Sequence, residues 1–236
     1  MAKAPRPWTV LPYDPIEKLE DNLWAVNGTL PRGSMKRRMA IVKRTDGKLV
    51  FHNAIPLSEP DMKAVEAWGE PGYLIVSNGF HRLDIHAFKQ RYPNMKVLCP
   101  EPHDARVREI VQVDGHYDAF PPDPAVEAQV LEGSKIGEAV FIVSSGPRKT
   151  LLFADTLMNI PDGPGMGMFI MKLLGSVGDL RVTRIGRMLA VKDPKAIRRH
   201  LERLAGLPGL SRIVLTHGDD VTADVPAALR KAAARL

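Results

Sequence analysis

Three ionisable residues, each of which follows a short apolar run, are the strongest chemical signal in this chain. His81 comes shortly after YLIV, Asp155 directly after TLLFA, and His217 directly after RIVLT. Apolar runs of this length are typical of buried strands, so we expect the three side chains at strand ends. A strand end is rigid enough to hold a ligand at about 2.0–2.2 Å from a metal ion. Two imidazoles and one carboxylate suit zinc or iron, so the sequence predicts a site for one divalent cation.

Two further polar residues, Asp84 and His86, lie shortly after His81 along the chain. At helical spacing His81 and Asp84 share a face because they are three residues apart, whereas His86 points elsewhere. Asp84 is therefore the better reserve ligand. Either Asp84 or His86 could move a proton to or from a substrate beside the ion, so both are candidate catalytic groups.

The elements that must position these residues begin with a β-rich first third. Short apolar runs separated by turn residues predict four strands there. They are residues 8–11, 23–26, 39–42 and 49–52. Asp46-Gly47 between the last two runs predicts a hairpin. A helix is expected over 58–68, with Ser58 as its N-cap and Pro60 in its first turn.

Strands and helices alternate after this point, which favours an α/β architecture. The predicted strands are 73–76, 96–99, 125–131, 139–144, 150–154 and 213–216. The predicted helices are 82–91, 104–111, one that opens at Asp193-Pro194, and 224–236. The glycine- and methionine-rich segment after Asp155 is expected to become helical from about Met166. Its methionines are expected in the core, with a lid or a dimer surface as the alternative.

The composition is that of an ordinary globular protein, with 236 residues, 44% hydrophobic and 25% charged. No linker separates two cores, so we expect one domain over 1–236, with 1–22 as an N-terminal extension. The single cysteine, Cys99, excludes an intramolecular disulfide and fits a reducing compartment. Neither a signal peptide nor a membrane span of roughly 20 apolar residues is evident. We therefore expect a cytoplasmic protein with no membrane contact.

The net charge of +6 comes from scattered lysines and arginines. No basic stripe interleaved with aromatic residues is present, so a solvated basic surface is favoured over nucleic-acid binding. Three other histidines, at positions 103, 116 and 200, have no spacing partner and are expected at the surface or at caps. His52 is expected as a satisfied core histidine. The chain has no phosphate-binding glycine loop and no nucleophile elbow.

The order of predicted elements resembles the αββα four-layer sandwich of the metallo-β-lactamase superfamily, over roughly 23–236. In that superfamily, the strand after the first helix ends in a His-x-His-x-Asp-His motif. A Gly-His-Thr-x-Gly loop supplies another histidine, a later strand ends in Gly-Asp, and a final strand ends in Gly-His or His-Gly. The stretches LWAVNG and SNGFH are similar to a bacterial subfamily that lacks the full histidine motif, which implies the fold without a reaction.

Matched residue by residue, the resemblance implies that Asp155 is the bridging carboxylate, His217 the last histidine, and His81 the end of the main motif. Other motif positions carry different residues, and the chain departs from the family there. They are Val76, Asn78, Phe80 and Ser134. On this register the first metal site has lost all three of its histidines, whereas the second retains His81, Asp155 and His217. The resemblance thus implies at most one zinc or iron ion, with no metal as the alternative.

The function implied by this resemblance is that of a metal-dependent hydrolase. A water of lowered pKa at the ion would attack an ester, thioester, lactone or phosphodiester. The alternative is a pseudoenzyme of the same fold, whose pocket binds a small molecule or a protein. A nuclease is a weaker alternative, since most nucleases of the superfamily keep the full motif. The substrate and a homo-oligomeric state remain open.

Overall fold

The computed structural model describes residues 6–32, 36–164, 172–173 and 175–236. The chain divides into two compact units, Met1–Ala128 and Gln129–Leu236. The expectation of a single domain with an extension over 1–22 stays a prediction. The helix expected from about Met166 begins outside the described residues. Among the described residues, no helix has both the length and the apolar character that a membrane span needs.

The first unit contains a six-stranded mixed sheet whose strands follow one another in chain order. They are β1 (Glu17–Glu20), β2 (Leu23–Thr29), β3 (Lys36–Lys43), β4 (Lys48–His52), β5 (Glu70–Ile75) and β6 (Lys96–Leu98). The pairs from β1 to β4 are antiparallel, and β4, β5 and β6 run parallel. The predicted Asp46-Gly47 hairpin joins β3 to β4, with Gly47 at φ +82°. The parallel strands β4 and β5 therefore end at the same edge of the sheet, the edge that precedes His81.

Three helices of the first unit follow the sheet strands. They are α1 (Glu59–Trp68), α2 (Ile85–Arg91) and α3 (Asp104–Arg108). The Ser58 side chain caps α1 by accepting from the Asp61 N–H, as the sequence predicts. Phe51 of β4 and Phe88 of α2 are fully buried and pack edge to face, with ring centroids 5.4 Å apart. This contact fixes α2, and with it the loop that carries His81, against the sheet.

The strand predicted over 8–11 is wrong. The Trp8 indole instead donates to the Leu57 carbonyl at 3.1 Å, and its ring packs against Phe88 at 4.9 Å between centroids. This apolar run is therefore held by side-chain contacts with later elements and not by a strand ladder. Side-chain packing overrides the local strand signal here.

The second unit contains a four-stranded sheet of order β10-β9-β8-β7. Its strands are β7 (Val126–Val130), which spans the boundary of the units, β8 (Ala139–Ser145), β9 (Arg148–Phe153) and β10 (Leu210–Leu215). Its helices are α4 (Arg184–Ala190), α5 (Pro194–Leu204) and α6 (Val225–Ala234). The Asp193 side chain caps α5 as predicted. The sequence analysis did not predict α4, although Ile185, Met188 and Leu189 have the i, i+3, i+4 spacing of a helix face; all three are exposed.

His200 differs from its expected surface position. It lies on the inner face of α5 and is 3% exposed. Its Nδ1 accepts the Glu132 backbone N–H at 3.2 Å, so the ring is neutral at that nitrogen. Burial, followed by the charge of Arg203, lowers the pKa of His200.

Candidate metal site

Asp155 and His217 lie together at the ends of two neighbouring parallel strands. In the pairing of β9 with β10, Phe153 lies opposite Leu215, so each functional residue stands two positions beyond a matched pair. The Asp155 Oδ1 lies 3.7 Å from the His217 Nε2, and the two side chains are 22% and 12% exposed. The register of the sheet thus brings a carboxylate and an imidazole to one half-buried spot.

The spacing of this pair fits two ligands of one cation. Two ligand atoms at about 2.0–2.2 Å from an ion in tetrahedral geometry lie roughly 3.3–3.6 Å apart. The observed 3.7 Å between Asp155 Oδ1 and His217 Nε2 is within a few tenths of an ångström of that range. The donor set of one carboxylate oxygen and one imidazole nitrogen is also suitable for zinc or iron.

Glu138 fixes the backbone that carries Asp155, although the sequence did not single it out. Its carboxylate accepts the backbone N–H groups of Ala154, Asp155 and Thr156 at 2.8, 3.2 and 2.8 Å. It also accepts the Thr156 hydroxyl at 2.7 Å. The four hydrogen bonds of the Glu138 carboxylate therefore hold the turn after β9 in one conformation.

The environment of Glu138 is that of a buried, fully hydrogen-bonded carboxyl, with only 1% of the residue exposed. Burial raises its pKa and the negative charge of Asp155 adds to this, whereas the hydrogen bonds from the Thr156 hydroxyl and from the Ala154 and Thr156 N–H groups oppose the rise. One signal in the sequence could have identified it: a charged residue at the head of an apolar strand must find partners once that strand is buried.

His81 lies in the first unit, on the loop that follows β5. Asn78 is fully buried and shapes this loop, because its Oδ1 accepts the Phe80 N–H at 2.8 Å. The Asn78 carbonyl accepts the His81 N–H at 3.1 Å. Asn78, at a position where the resemblance implies a histidine, therefore shapes the loop, and His81 is half-buried at its end.

Asp84 and His86 take different positions. Asp84 is fully buried beside Arg37, with Oδ2 to Nη1 at 2.6 Å, and Arg6 approaches its other oxygen at 3.6 Å. Burial raises the pKa of Asp84, and the charges of Arg37 and Arg6 oppose the rise. His86 is half-buried in the first turn of α2. The proton-transfer role of both residues stays a prediction. The sequence did not predict that Asp84 would contact two arginines.

A closed ring of hydrogen bonds surrounds His52 at the end of β4. The Asn53 amide meets His52 Nδ1 at 3.3 Å, His52 Nε2 meets the Ser77 hydroxyl at 3.3 Å, and that hydroxyl donates to Asn53 Oδ1 at 2.7 Å. Because the Ser77 proton is used toward Asn53, the Nε2 of His52 is the donor and its Nδ1 the acceptor. His52 is thus a satisfied core histidine, as expected, and does not activate Ser77 as a nucleophile.

Ser134 replaces the loop histidine of the resemblance, and its hydroxyl accepts the Glu138 N–H at 3.2 Å. This oxygen therefore supports the backbone just before β8. Both Ser134 and Asn78 serve local backbone structure at positions where the resemblance implies metal ligands.

Comparison with solved structures identifies the fold. No family model matches the sequence, and no curated protein matches it. Among solved structures, a metallo-β-lactamase from Pontibacter korlensis is similar at 12% identity and a TM-score of 0.60, covering 94% of this chain and 99% of that one. DIM-1 metallo-β-lactamase exposed to ceftazidime is similar at 11% identity and a TM-score of 0.63, with 96% and 99% covered. A metallo-β-lactamase from Hirschia baltica is similar at 11% identity and a TM-score of 0.59, covering 93% of this chain and 98% of that one. The chain therefore has an α/β sandwich fold like that of these metallo-β-lactamases, as the sequence predicts.

Proposed function

We propose that this chain, folded as a metallo-β-lactamase, is a hydrolase that uses one divalent cation held by His81, Asp155 and His217. The observation that carries the proposal is the Asp155–His217 pair at the ends of β9 and β10, 3.7 Å apart and half-buried. Fold alone does not fix an activity, so the proposal rests on this site.

His81 is proposed as the third ligand. Each of the three side chains offers one ligand atom, and each is half-buried, so none is fully withdrawn from solvent. The resemblance assigns His81 to the same metal site as Asp155 and His217. Three protein ligands with one open position are typical of catalytic mononuclear zinc sites.

A cation bound there supplies Lewis acidity that polarises a substrate oxygen and lowers the pKa of water. The residues of the chain position the reactants: Asp155 contributes negative charge, and Glu138 keeps the backbone of Asp155 in place. His86 is proposed to transfer the proton to the leaving group, since it is half-buried. Asp84 is the weaker candidate for this step because Arg37 and Arg6 surround its carboxylate.

The proposed substrate is an ester, thioester, lactone or phosphodiester, and the proposed metal is zinc or iron. We further propose a cytoplasmic location, since Cys99 is a lone buried thiol. Burial, reinforced by the charge of Asp104, raises the pKa of Cys99 to about 12, so this thiol is structural rather than reactive.

A second candidate function is a non-catalytic protein of the same fold that binds a small molecule or a protein. The specific observation that favours it is the structural use of former ligand positions. Asn78 accepts a hydrogen bond within its loop and Ser134 supports the backbone before β8, so both side chains serve local structure.

The test is metal content, measured by mass spectrometry on protein purified without a metal-affinity column. Wild type is compared with His81→Ala and His217→Ala, and with His116→Ala as a histidine control that pairs with Asp104 instead. Near-stoichiometric zinc or iron in wild type and control, and its loss in both site variants, supports the hydrolase. Loss in His217→Ala alone removes His81 from the ligand set. No metal in wild type after incubation with zinc, iron and manganese favours the non-catalytic function.

A further inference from the structure

An exposed aromatic ring stands immediately beside His81. Phe80 is 66% exposed. The loop is built to hold it there, because the Phe80 N–H and the His81 N–H are both bound to Asn78. The ring is therefore presented to solvent by a fixed backbone next to a proposed ligand.

An arginine and a histidine pack against this ring. The Arg106 guanidinium lies over its face at 4.7 Å from the centroid, and the His103 ring meets its edge at 6.1 Å. Gly79 permits this approach, since a Cβ there would be 3.1 Å from the Arg106 Cδ and 3.3 Å from the His103 Cγ. The loop and α3 are thus packed closely enough for one ligand to touch both.

Arg106 differs from its basic neighbours in having no acidic partner. Arg82 pairs with Glu109 at 2.8 Å, and Arg108 pairs with Asp104 at 2.6 Å. Within the described residues, by contrast, no carboxylate lies at ion-pair distance from Arg106. Its charge is therefore available to an anion from solution.

His103 adds a second unused group to the same cluster. Its Nδ1 is buried and makes no hydrogen bond among the described residues. Burial, followed by the charges of Arg106 and Arg82, lowers the pKa of His103. A buried polar nitrogen without a partner is costly, so the packing of this cluster leaves one polar group unsatisfied.

We propose that Phe80, Arg106 and His103 form a subsite for an organic anion that carries a phosphate or carboxylate beside a flat ring. The ring of the ligand stacks on the open face of Phe80, and its oxyanion pairs with Arg106. This inference rests on the proposed function, because it names the substrate class of the same site. Among the proposed substrates it selects phosphodiesters and carboxylate-bearing esters with a flat group near the scissile bond.

The experiment is calorimetric binding to the full chain in the presence of a chelator, so that the result does not depend on the metal. The probes are phenyl phosphate, benzoate, uncharged benzamide and inorganic phosphate. We expect phenyl phosphate, benzoate or both to bind about tenfold more tightly than benzamide and inorganic phosphate. Tenfold corresponds to about 1.4 kcal/mol, the size of one charge-assisted contact or one ring contact.

The variants separate the subsite from general electrostatics. Arg106→Gln and Phe80→Ala are each expected to weaken binding of the tighter probe about tenfold. Arg108→Gln, on the same helix but paired with Asp104, is expected to leave it unchanged. Whether phenyl phosphate or benzoate binds more tightly identifies the oxyanion.

Three results would overturn the subsite: no binding of either charged probe, equal binding of benzamide, or equal weakening by Arg108→Gln. Because binding is measured without metal, absence of metal from the purified protein and absence of this subsite are separate outcomes. Phe80 and Arg106 are exposed, so we expect both variants to fold as the wild type does, and circular dichroism checks this.

Discussion

The replacement Glu138→Gln tests whether a buried carboxylate holds the turn that carries Asp155. In the native protein, one Glu138 oxygen accepts three donors and the other accepts the Ala154 N–H. A glutamine has the same shape but only one acceptor oxygen. If that oxygen faces the three donors, the new amide N–H₂ must face the Ala154 N–H, and one hydrogen bond becomes a contact between two donors.

The magnitude follows from this count. A hydrogen bond to a charged group contributes about 1.5–3 kcal/mol, and leaving a buried donor unsatisfied costs about 1–3 kcal/mol. Since the remaining bonds also lose their ionic character, we expect the free energy of unfolding to fall by about 2–4 kcal/mol. The change should appear without metal, because the contacts belong to the protein alone.

The assay is urea unfolding at pH 7 with a chelator present, followed by circular dichroism. The matched control is Glu202→Gln, an exposed glutamate of α5 that pairs with Arg198, for which the expected change is at most about 0.5 kcal/mol. A loss below about 0.5 kcal/mol in Glu138→Gln would refute the reasoning. It would mean that Glu138 is already protonated in the native protein, since glutamine mimics the neutral acid.

Three further outcomes are expected. Asp84→Asn leaves the Arg37 charge buried without its partner and should cost about 3–5 kcal/mol in urea unfolding, part of which returns in the double variant with Arg37→Met. Because the pKa of His200 is lowered in the folded state, the unfolded chain binds more protons just below its own pKa of about 6.5. The contribution of His200 to the free energy of unfolding should therefore be constant above that pH and fall as the pH drops through it. His200→Gln should abolish this component of the pH dependence. Gly209→Ala should cost more than about 1 kcal/mol in thermal unfolding, because the residue has φ +74° and a Cβ would collide with a backbone carbonyl. Gly206→Ala, where φ is not positive, is its control, and equal losses in the two would contradict this explanation.

Most of the fold could be predicted because its signals are local. The Asp46-Gly47 turn, the Ser58 cap and the alternating apolar runs each act within a few residues and agree with the observed elements. The apolar run at 8–11 was wrongly predicted as a strand because Trp8 contacts residues that are distant in sequence. Helix α4 was missed although its apolar residues have helical spacing, and in the fold these residues face solvent.

The candidate site could also be predicted only in part. Residue type and position after a strand were enough to single out Asp155 and His217, and the register of β9 with β10 brings them together. Glu138 and Arg37 could not be assigned roles, because their partners lie on other elements and depend on three-dimensional packing. His200 was misplaced although it lies three residues after Ile197 and four before Leu204, on the apolar face of α5 that is buried.

The pairing of β9 with β10 also bears on how such a chain can change over evolutionary time. The two proposed ligands are separated by a long connection, yet their spacing is set by hydrogen bonds between two short strands. Insertions, deletions or a grafted segment between these strands can alter substrate recognition while the ligand pair stays in place. A shift of one residue within either strand is different, because it would turn the ligand to the opposite face of the sheet. Natural variation and engineering should therefore concentrate in the connection and spare the strand ends.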